Sequence, residues 1–571
     1  MLVRMPALIL PSSRWIDEPL AGLRPGFRLL PQGWAGRVAA ARAHPAGARL
    51  WAALERRAES QRAEPVITTA DSLTPVRACL DRMWTCGLHA LVAADPDSLA
   101  RTRAEAEALA TLPAWGRPGD WLATAECMHA LAVACDWAAQ ADPALADRLL
   151  DALVRHGLDA ADQAYADRAW WWRDGANWNG VCNGSVLMAC LVAGDRHPAL
   201  CRRLAGYALA GLPLHLASLA PDGAHPEGPG YWAYTWRYLA PLIDACESAL
   251  GHDFGLSGLD GLADSAWFRI HHEAPSGRFF AWADSYPDAP FDPVLFWQAR
   301  RYGIPAAAAA ALRRIGDAEH SPLYGAVARA LLWWSDPGSP TTLSEVPTRR
   351  SWRGPAIVCA RSGWDDQAAW IGLKGGDVQA PHAHRDLGAV AVELGGVRWL
   401  DDPGAGDYGA PGYWDGRPAS GGGRWRVFHC AAEGHGTLLV DGDGVHLLAQ
   451  MNLDPADPAA VSSDSAFADR GVSRWTRRVD RVEAGIVTVS DTLECQRPIR
   501  LGISWMTGQT ASVVDGGVLL TADGRQARLE VSAAAGRPRL SAGPAPWTQI
   551  LWETDLLPGR HVISHQISLE S

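Results

Sequence analysis

The sequence predicts a two-domain protein in which a series of antiparallel helix pairs is followed by an antiparallel β-sandwich. The chain has 571 residues, more than a single hydrophobic core normally serves. Apolar residues recur at intervals of three and four from about Gly36 to Trp334, as they do in amphipathic helices. Beyond Pro340 the pattern changes to short alternating runs between turn residues, which is typical of antiparallel sheets.

The predicted helices are joined by short turns rich in Gly, Pro and Asp, and no strict sequence repeat links them. The clearest are Val38–Arg62, Val76–Ala94, Trp121–Ala141, Pro143–Gly157, Ser185–Ala193 and Tyr231–Leu250. Because each helix pair must bury its apolar face against a neighbour, a solenoid and a closed toroid are both compatible with this series.

The predicted strands are rich in Val, Ile, Leu and Trp, and turns such as Asp441-Gly-Asp-Gly444 separate them. They are Ala368–Lys374, Ala389–Leu394, Thr437–Val440, Gly485–Ser490, Arg500–Trp505, Val518–Thr521, Ala527–Val531 and His561–Ile567. The composition changes near Asp336-Pro-Gly-Ser-Pro340. We therefore predict an N-terminal extension at 1–35, a helical domain at 36–345 and a β-sandwich at 346–571.

Charge and composition narrow the classes of function. Lys and Arg total 52 against 63 Asp and Glu, a net charge of −11, which argues against general binding of nucleic acid. Twenty-eight tryptophans exceed the needs of a core. Their flat faces suit sugar rings, although aromatic residues also pack between helices.

The cysteines and the N-terminus bear on the cellular compartment in which the protein is expected to act. The 11 cysteines are an odd number without a CxxC pair, so we interpret most as buried small hydrophobes. The run Met1–Pro11 has one Arg and no clear small-residue cleavage site, which favours a cytoplasmic over a periplasmic location. No stretch has the length of a membrane-spanning helix, and a monomer and a homodimer are both compatible with the sequence.

Two histidines form the first candidate site. In an extended chain, His382 and His384 project to the same side, so both imidazoles can reach one small volume. A turn at Gly395-Gly396 predicts a hairpin that returns Asp401-Asp402 towards them. Two imidazoles and a carboxylate can bind a metal, and His435 can complete the set. Imidazole is also an ordinary interior hydrogen-bonding group.

Two segments of the helical part can also carry chemistry. In Asn177-Trp178-Asn179-Gly180 the asparagines can be helix N-caps, or amide donors to a sugar carboxylate. The second segment runs from Glu227 into a helix on which Tyr231, Tyr234 and Tyr238 share one face. These tyrosines can form an aromatic stripe in the core, or supply a phenol as an acid or base.

The β part adds two arginines, Arg424 and Arg426, shortly before Glu433-Gly-His-Gly-Thr-Leu438. His435 in this segment directly precedes a predicted strand, so the sheet holds its ring in place. That position favours a ligand or catalytic role, and a hydrogen-bonded interior histidine is the alternative.

Taken together, four segments resemble the heparinase II/III family of polysaccharide lyases in residue type and order. They are Asn177-Trp-Asn-Gly180, Glu227-Gly-Pro-Gly-Tyr-Trp-Ala-Tyr234, His382-Ala-His-Arg-Asp-Leu-Gly388 and Glu433-Gly-His-Gly-Thr-Leu438. The resemblance implies an N-terminal (α/α) toroid and a C-terminal antiparallel β-sandwich. It also implies β-elimination of an acidic, uronic-acid-containing polysaccharide, similar to heparan sulfate, alginate or a bacterial exopolysaccharide.

The resemblance further implies roles for individual residues. Asn179 would neutralise the substrate carboxylate, Tyr234 would be the catalytic tyrosine with Tyr231 as the near alternative, and His382 would be the catalytic histidine. One structural zinc ion per chain would be bound by His384, Asp402 and His435, with Asp401 as the alternative acid. The substrate-contacting residues predicted with them are Asn177, Trp178, Glu227, Tyr231, Arg424 and Arg426.

Two other functions compete with a lyase. A glycoside hydrolase on a similar toroid would need two carboxylic acids across the scissile bond, and Glu227 and Asp284 are available carboxylates. A non-catalytic glycan-binding or assembly protein would keep the fold and its tryptophans without the chemistry.

Overall fold

A computed structural model of the protein describes residues 18–139, 142–336, 343–415, 422–532 and 537–570. The run Met1–Pro11 and most of the predicted linker after Asp336 lie outside these residues. Within the described residues the chain forms two compact units. The helical unit comprises 18–220, 233–266 and 290–336, and the β-rich unit comprises 221–232, 267–289 and 343–570.

Neither unit is continuous in sequence. Because of their contacts, segments 221–232 and 267–289 are part of the β-rich unit, although they precede the predicted boundary by many residues. These segments carry Glu227, Tyr231 and Asp284, which are therefore part of the β-rich unit.

Fourteen α-helices lie within the described residues. In chain order they are α1 Trp34–Ala43, α2 Pro45–Arg62, α3 Leu73–Ala93, α4 Pro96–Thr111, α5 Trp121–Trp137, α6 Pro143–Ala152, α7 Asp159–Ala166, α8 Asn177–Ala193, α9 Pro198–Leu216, α10 Pro229–Leu250, α11 Ser265–His272, α12 Val294–Tyr302, α13 Pro305–Arg313 and α14 Ala326–Leu332. None of them combines the length and the apolar content needed to cross a bilayer.

The helices of the helical unit close into a ring. Helix α3 contacts α4 and α5, α5 contacts α8, and α8 contacts α9. The last helix, α14, returns to contact α1, α2 and α3. The series thus ends where it began, which distinguishes a toroid from an open solenoid. The predicted (α/α) toroid is confirmed.

Local sequence explains where the helices begin and break. One helix was predicted over Val38–Arg62, but the structure has two, because Pro45 lacks an amide hydrogen and forces His44 into an extended conformation. Asp120 caps the N-terminus of helix α5, and its side chain accepts a hydrogen bond from Ala123 N at 3.3 Å. Every residue of α5 after Trp121 is buried, as expected for a helix that is apolar on all sides.

Eighteen strands lie within the described residues. They are β1 Arg349–Trp352, β2 Ile357–Arg361, β3 Trp370–Lys374, β4 Gly376–Asp377, β5 Val390–Leu394, β6 Val397–Leu400, β7 Leu438–Val440, β8 Gln450–Asp454, β9 Asp457–Ser463, β10 Val472–Glu483, β11 Ile486–Cys495, β12 Ile499–Thr507, β13 Thr510–Val514, β14 Gly517–Ala522, β15 Arg525–Val531, β16 Arg539–Ala542, β17 Thr548–Leu556 and β18 Gly559–Leu569.

The strands form three antiparallel sheets around one large apolar core. Their orders are β1-β2-β3-β5-β6, β13-β14-β15-β18-β11-β10-β9-β8-β4 and β16-β17-β12-β7. The predicted β-sandwich is confirmed. Strands β5 and β6 form the predicted hairpin, in which Leu394 pairs with Val397. Gly395 and Gly396 both have positive φ, 60° and 77°, as a two-residue turn of this kind requires.

Candidate functional site

The carboxylate of Asp284 is the centre of a buried polar cluster in the β-rich unit. Its Oδ2 lies 2.7 Å from His382 Nδ1, and its Oδ1 lies 2.8 Å from His384 Nε2. Tyr413 donates a short hydrogen bond to the same Oδ1, and Arg424 Nη2 donates to both oxygens at 3.2 and 3.3 Å. The side chains of His382 and His384 therefore do reach one small volume, and the Asp284 carboxylate lies in it.

The electrostatic environment keeps Asp284 ionised. Burial alone would raise the pKa of this carboxyl group, but hydrogen bonds from His382 and His384 and the charge of Arg424 outweigh it. The pKa of Asp284 consequently lies well below its usual range. Because an ionised carboxylate only accepts hydrogen bonds, each histidine donates to it from a protonated ring nitrogen.

His382 lies in a turn and not in a strand, and its φ is +60°, an uncommon conformation for a residue with a side chain. Its Nδ1 carries the proton donated to Asp284, so in the neutral ring Nε2 keeps a lone pair. That Nε2 lies 3.8 Å from Glu227 Oε2, and the side chain is 20% exposed. Asp284 thus selects the tautomer whose basic nitrogen points away from it.

Tyr231 lies directly on His382. The two rings stack with centroids 4.4 Å apart and an angle of 29°, and the phenol oxygen is 3.4 Å from His382 Nδ1. The same phenol is 3.0 Å from the hydroxyl of Tyr408. Burial, followed by Tyr408 and nearby carboxylates, raises the pKa of Tyr231 far above its usual range. Tyr231 therefore remains a protonated phenol at neutral pH.

A group of aromatic residues around His382 was not predicted. Tyr408 stacks on His382 at 6.4 Å, and Trp414 meets it edge-on at 5.7 Å. Trp414 is 58% exposed, which is unusual for so large an apolar ring. The signal in the sequence is the segment 405–414, rich in Gly and Tyr, which follows the Asp402-Pro403-Gly404 motif.

One group of buried residues in the described part of the chain brings three metal-ligating atoms together. It consists of Asp284, His384 and Cys430, and it could hold a metal ion. Burial raises the pKa of the Cys430 thiol to about 12, so this sulfur is protonated in the absence of a metal. Burial lowers the pKa of His384, whose ring is therefore neutral.

The predicted zinc ligands are only partly brought together. His435 Nδ1 lies 2.8 Å from Asp402 Oδ2, and the rings of His384 and His435 are 5.4 Å apart. Buried His384 Nδ1 and His435 Nε2 have no hydrogen-bond partner among the described residues. Burial alone would lower the pKa of His435, but the charge of Asp402 outweighs it and raises that pKa.

The two neighbouring acids, Asp401 and Asp402, differ in their partners. Asp401 is bound by Arg398 at 2.7 Å and by Arg278 at 3.1 Å, so its oxygens are used in ion pairs. Asp402 is the acid that faces a histidine. Asp402 is thus the better match to the predicted ligand.

Asn179 is fully buried in the helical unit, in the first turn of α8. Its Nδ2 donates to the carbonyls of Trp172 at 2.9 Å and Gly211 at 3.1 Å, while its Oδ1 has no partner among the described residues. Both amide hydrogens are therefore engaged by backbone. Asn177 is buried beside it, and Trp178 is half-buried against the exposed Trp170.

Tyr234, the preferred catalytic tyrosine from the sequence, lies in the helical unit. Its hydroxyl donates to Glu126 Oε1 at 3.1 Å and accepts from Arg77 Nη2 at 3.1 Å. Burial and the charge of Glu126 raise its pKa well above the usual range. The structure thus gives Tyr234 an ion pair as its partner, and gives Tyr231 the imidazole of His382.

The remaining predicted substrate contacts differ in exposure. Glu227 is buried beside His382, and Arg424 is buried and holds Asp284. Arg426 is exposed in the same short helical turn as Arg424. Arg424 therefore positions the cluster, while Arg426 is the one of the two that is open to solvent.

Comparisons with known proteins agree with this fold. Residues 368–544 match the family model described as Heparinase II/III-like, C-terminal. A heparinase III structure has a TM-score of 0.56 and 12% identity, covering 86% of this chain and 76% of that chain. A heparinase III with methylated lysines has a TM-score of 0.55 and 12% identity, covering 86% and 77%. No curated protein matches the sequence. The predicted resemblance to the heparinase II/III family is confirmed, and the structural likeness concerns the fold.

Proposed function

We propose that the protein is a polysaccharide lyase that cleaves a uronic-acid-containing polysaccharide by β-elimination and leaves a 4,5-unsaturated sugar. The observation that carries this proposal is the contact of Tyr231 with His382, whose ring is held by ionised Asp284. The heparinase-like C-terminal domain and the heparinase III fold support a polysaccharide as the substrate class.

The two side chains supply the two proton transfers that β-elimination needs. A base removes the proton at C5, alpha to the carboxylate, and an acid protonates the leaving oxygen at C4. His382 Nε2 keeps its lone pair because Nδ1 donates to Asp284, so it suits the base. Tyr231 suits the acid, because its raised pKa keeps the phenol protonated.

This assignment replaces Tyr234 by Tyr231, the alternative that the sequence had left open. Tyr234 would have to break its hydrogen bond with Glu126 before it could transfer a proton. Tyr231 has its hydroxyl beside His382 and Tyr408 already. We keep Asn177 and Asn179 as proposed donors to the substrate carboxylate, with the condition that the Asn179 amide first releases Trp172 or Gly211.

A glycoside hydrolase is the weaker alternative. Such an enzyme needs one carboxylic acid that is protonated and a second that is free to act as base or nucleophile. Asp284 has a strongly lowered pKa, and its two oxygens are bound by two histidines, Tyr413 and Arg424. Asp284 is therefore suited to neither role.

We also propose a zinc site at His384, with His435 and Asp402. The lone pairs at His384 Nδ1 and His435 Nε2 are buried without partners, and imidazole is a common zinc ligand. When bound, zinc would hold the loop that carries His382. Asp402 contributes either as a ligand or by orienting His435, with which it already shares a hydrogen bond.

The test is to incubate the full-length protein with a panel of uronic-acid polymers and to follow the ultraviolet absorbance of the unsaturated product. We expect absorbance with at least one polymer, and its loss in His382→Ala. New reducing ends without absorbance would show a hydrolase. Saturable binding with neither product would show a glycan-binding protein and would overturn the proposal.

A further inference from the structure

Three arginines surround two tyrosines in the interior of the helical unit, apart from the cluster at Asp284. The guanidinium carbons of Arg77 and Arg237 lie 5.3 and 5.5 Å from the centroid of the Tyr234 ring. Arg237 and Arg329 lie 4.7 and 5.5 Å from the centroid of Tyr324. Positive charge is therefore concentrated around one pair of rings.

Carboxylates do not balance this charge. Glu126 forms a two-pronged ion pair with Arg77, at 3.1 and 3.2 Å. No carboxylate within the described residues lies at ion-pair distance from Arg237 or Arg329. The charge of Asp292 raises the pKa of Arg329, but by less than burial lowers it. In a chain whose net charge is −11, an interior with this excess of arginine is an exception to the overall sign.

Several N–H groups in the cluster also have no acceptor. Buried Arg237 Nε, Arg329 Nε and Arg329 Nη2 make no hydrogen bond within the described residues. Burial lowers the pKa of Arg329 to about 10, as expected for a guanidinium without a counter-ion. Aromatic rings compensate in part, since Arg329 lies 4.5 Å from the centroid of Trp84.

The cluster is partly open to solvent. The Arg77 side chain is 35% exposed, and Arg237 and Tyr234 are half-buried, whereas Arg329 is only 2% exposed. Arg329 Nη1 donates to the backbone carbonyl of Arg237 at 3.0 Å. Arg329 therefore holds the segment that carries Arg237 and adds positive potential behind it.

We propose that Arg77 and Arg237 form a subsite that binds an anionic group, carboxylate or sulfate, of the sugar chain. The proposal rests on the proposed function in taking an acidic polysaccharide as the ligand. Guanidinium groups suit both anions, because their fixed N–H forks can donate two parallel hydrogen bonds to adjacent oxygens. The bound anion would supply the charge that the described carboxylates do not.

Arg237→Gln is the variant of choice, because Arg237 has no carboxylate to leave unpaired. Arg77→Gln would leave Glu126 buried without its cation and can unfold the unit. Arg237→Lys keeps the charge but loses the fork. Arg202→Gln is the matched control, since Arg202 is an exposed arginine on α9. All are made in the full-length His382→Ala protein, so that turnover does not consume the ligand.

Calorimetric titration uses three probes, namely an unsulfated polyuronate, a sulfated oligosaccharide without carboxylates, and a neutral oligosaccharide. We expect Arg237→Gln to weaken binding of at least one anionic probe by about tenfold or more. Arg237→Lys should recover part of this loss. Arg202→Gln should change nothing, and the neutral probe should bind all variants alike. The anionic probe that is affected identifies the carboxylate or the sulfate.

Unchanged affinity of Arg237→Gln for both anionic probes would overturn the subsite. So would an equal loss for the neutral probe, or the lack of saturable binding of either anionic probe. The outcome is separate from that for the lyase. An active protein whose Arg237→Gln form binds normally refutes only the subsite, while an inactive protein with arginine-dependent binding refutes only the lyase. Melting temperatures of all variants verify that they are folded.

Discussion

Asp284 Oδ2 lies 2.7 Å from His382 Nδ1, although 98 residues separate the two in the sequence. The bond fixes which ring nitrogen carries the proton, and it does so from a carboxylate that stays ionised. A histidine held in this way has its basic nitrogen in one defined direction.

Asp284→Asn should lower kcat by about 100-fold or more with little change in KM, because an amide can also donate and no longer selects the tautomer of His382. The measurement is a steady-state assay on the polymer that gives unsaturated product. Asp288→Asn, an exposed residue of the same segment, is the matched control. Equal kcat in the two variants would show that the orientation of His382 does not limit the reaction.

Tyr231→Phe should abolish most of kcat, by about 100-fold or more, because it removes the proposed proton donor and keeps the ring stacked on His382. Tyr234→Phe should retain measurable turnover, since its hydroxyl faces Glu126 and Arg77. Product absorbance under identical conditions compares them. The reverse ranking would restore Tyr234 as the catalytic tyrosine.

Trp414→Ala should raise KM by about fivefold while kcat changes less, because an exposed ring beside His382 suits stacking against a sugar. The full dependence of rate on substrate concentration separates the two constants. Leu557→Ala, which alters another highly exposed apolar residue of the same unit, should have no effect. A fall in kcat alone would place Trp414 in the chemistry and not in binding.

Elemental analysis should find about one zinc ion per chain, and His384→Gln should remove it. His435→Gln should also lose the metal, because His435 Nε2 is one of the two buried nitrogens without partners. Cys430→Ser tests the other group, Asp284, His384 and Cys430. Metal retained in His435→Gln but lost in Cys430→Ser would transfer the site to that group.

Acid should destabilise the β-rich unit through Asp491, which is buried and bound by Arg477, His565 and Trp475. Burial alone would raise the pKa of this carboxyl group, but the charge of Arg477 and the hydrogen bonds lower it below 3.8. Its stabilising contribution is therefore complete above pH 3.8 and is lost as the pH falls through the folded-state pKa.

Asp491→Asn should accordingly lower the free energy of unfolding by about 3–5 kcal/mol at pH 7, because it leaves Arg477 buried without its partner. The difference from the unmodified protein should narrow below about pH 4. Thermal unfolding followed by circular dichroism at several pH values measures both effects. Asp480→Asn, in a more exposed ion pair with Arg478, serves as the control. A constant difference between the curves at all pH values would contradict the assignment.

The fold was predictable where local patterns decide it. The alternation of apolar and polar residues predicted most central strands, and the Gly395-Gly396 turn predicted the β5–β6 hairpin. The break between α1 and α2 was not predicted, because apolar periodicity continues across it. Pro45 is the residue that indicates the break. Helix α8 was predicted to begin at Ser185 but begins at Asn177, since the asparagines of its first turns were interpreted as N-caps or as donors to a ligand.

The site was predictable only as a set of residues. Sequence motifs gave His382 and His384, but neither motif nor spacing could show that Asp284 binds both, because that contact depends on the folded path of a distant segment. Tyr231 and Tyr234 share one helix face, so periodicity could not choose between them. The choice follows from ring contacts that exist only in the folded protein.

The left-handed backbone at His382 has an evolutionary consequence. A residue other than glycine at φ +60° lowers the stability of the fold by about 1 kcal/mol, whereas glycine adopts that backbone conformation freely. His382→Gly should therefore relieve the backbone strain of this turn while it removes the proposed base. Under the proposed function, a homologue with glycine at this position would combine a relaxed turn with the loss of the proposed base.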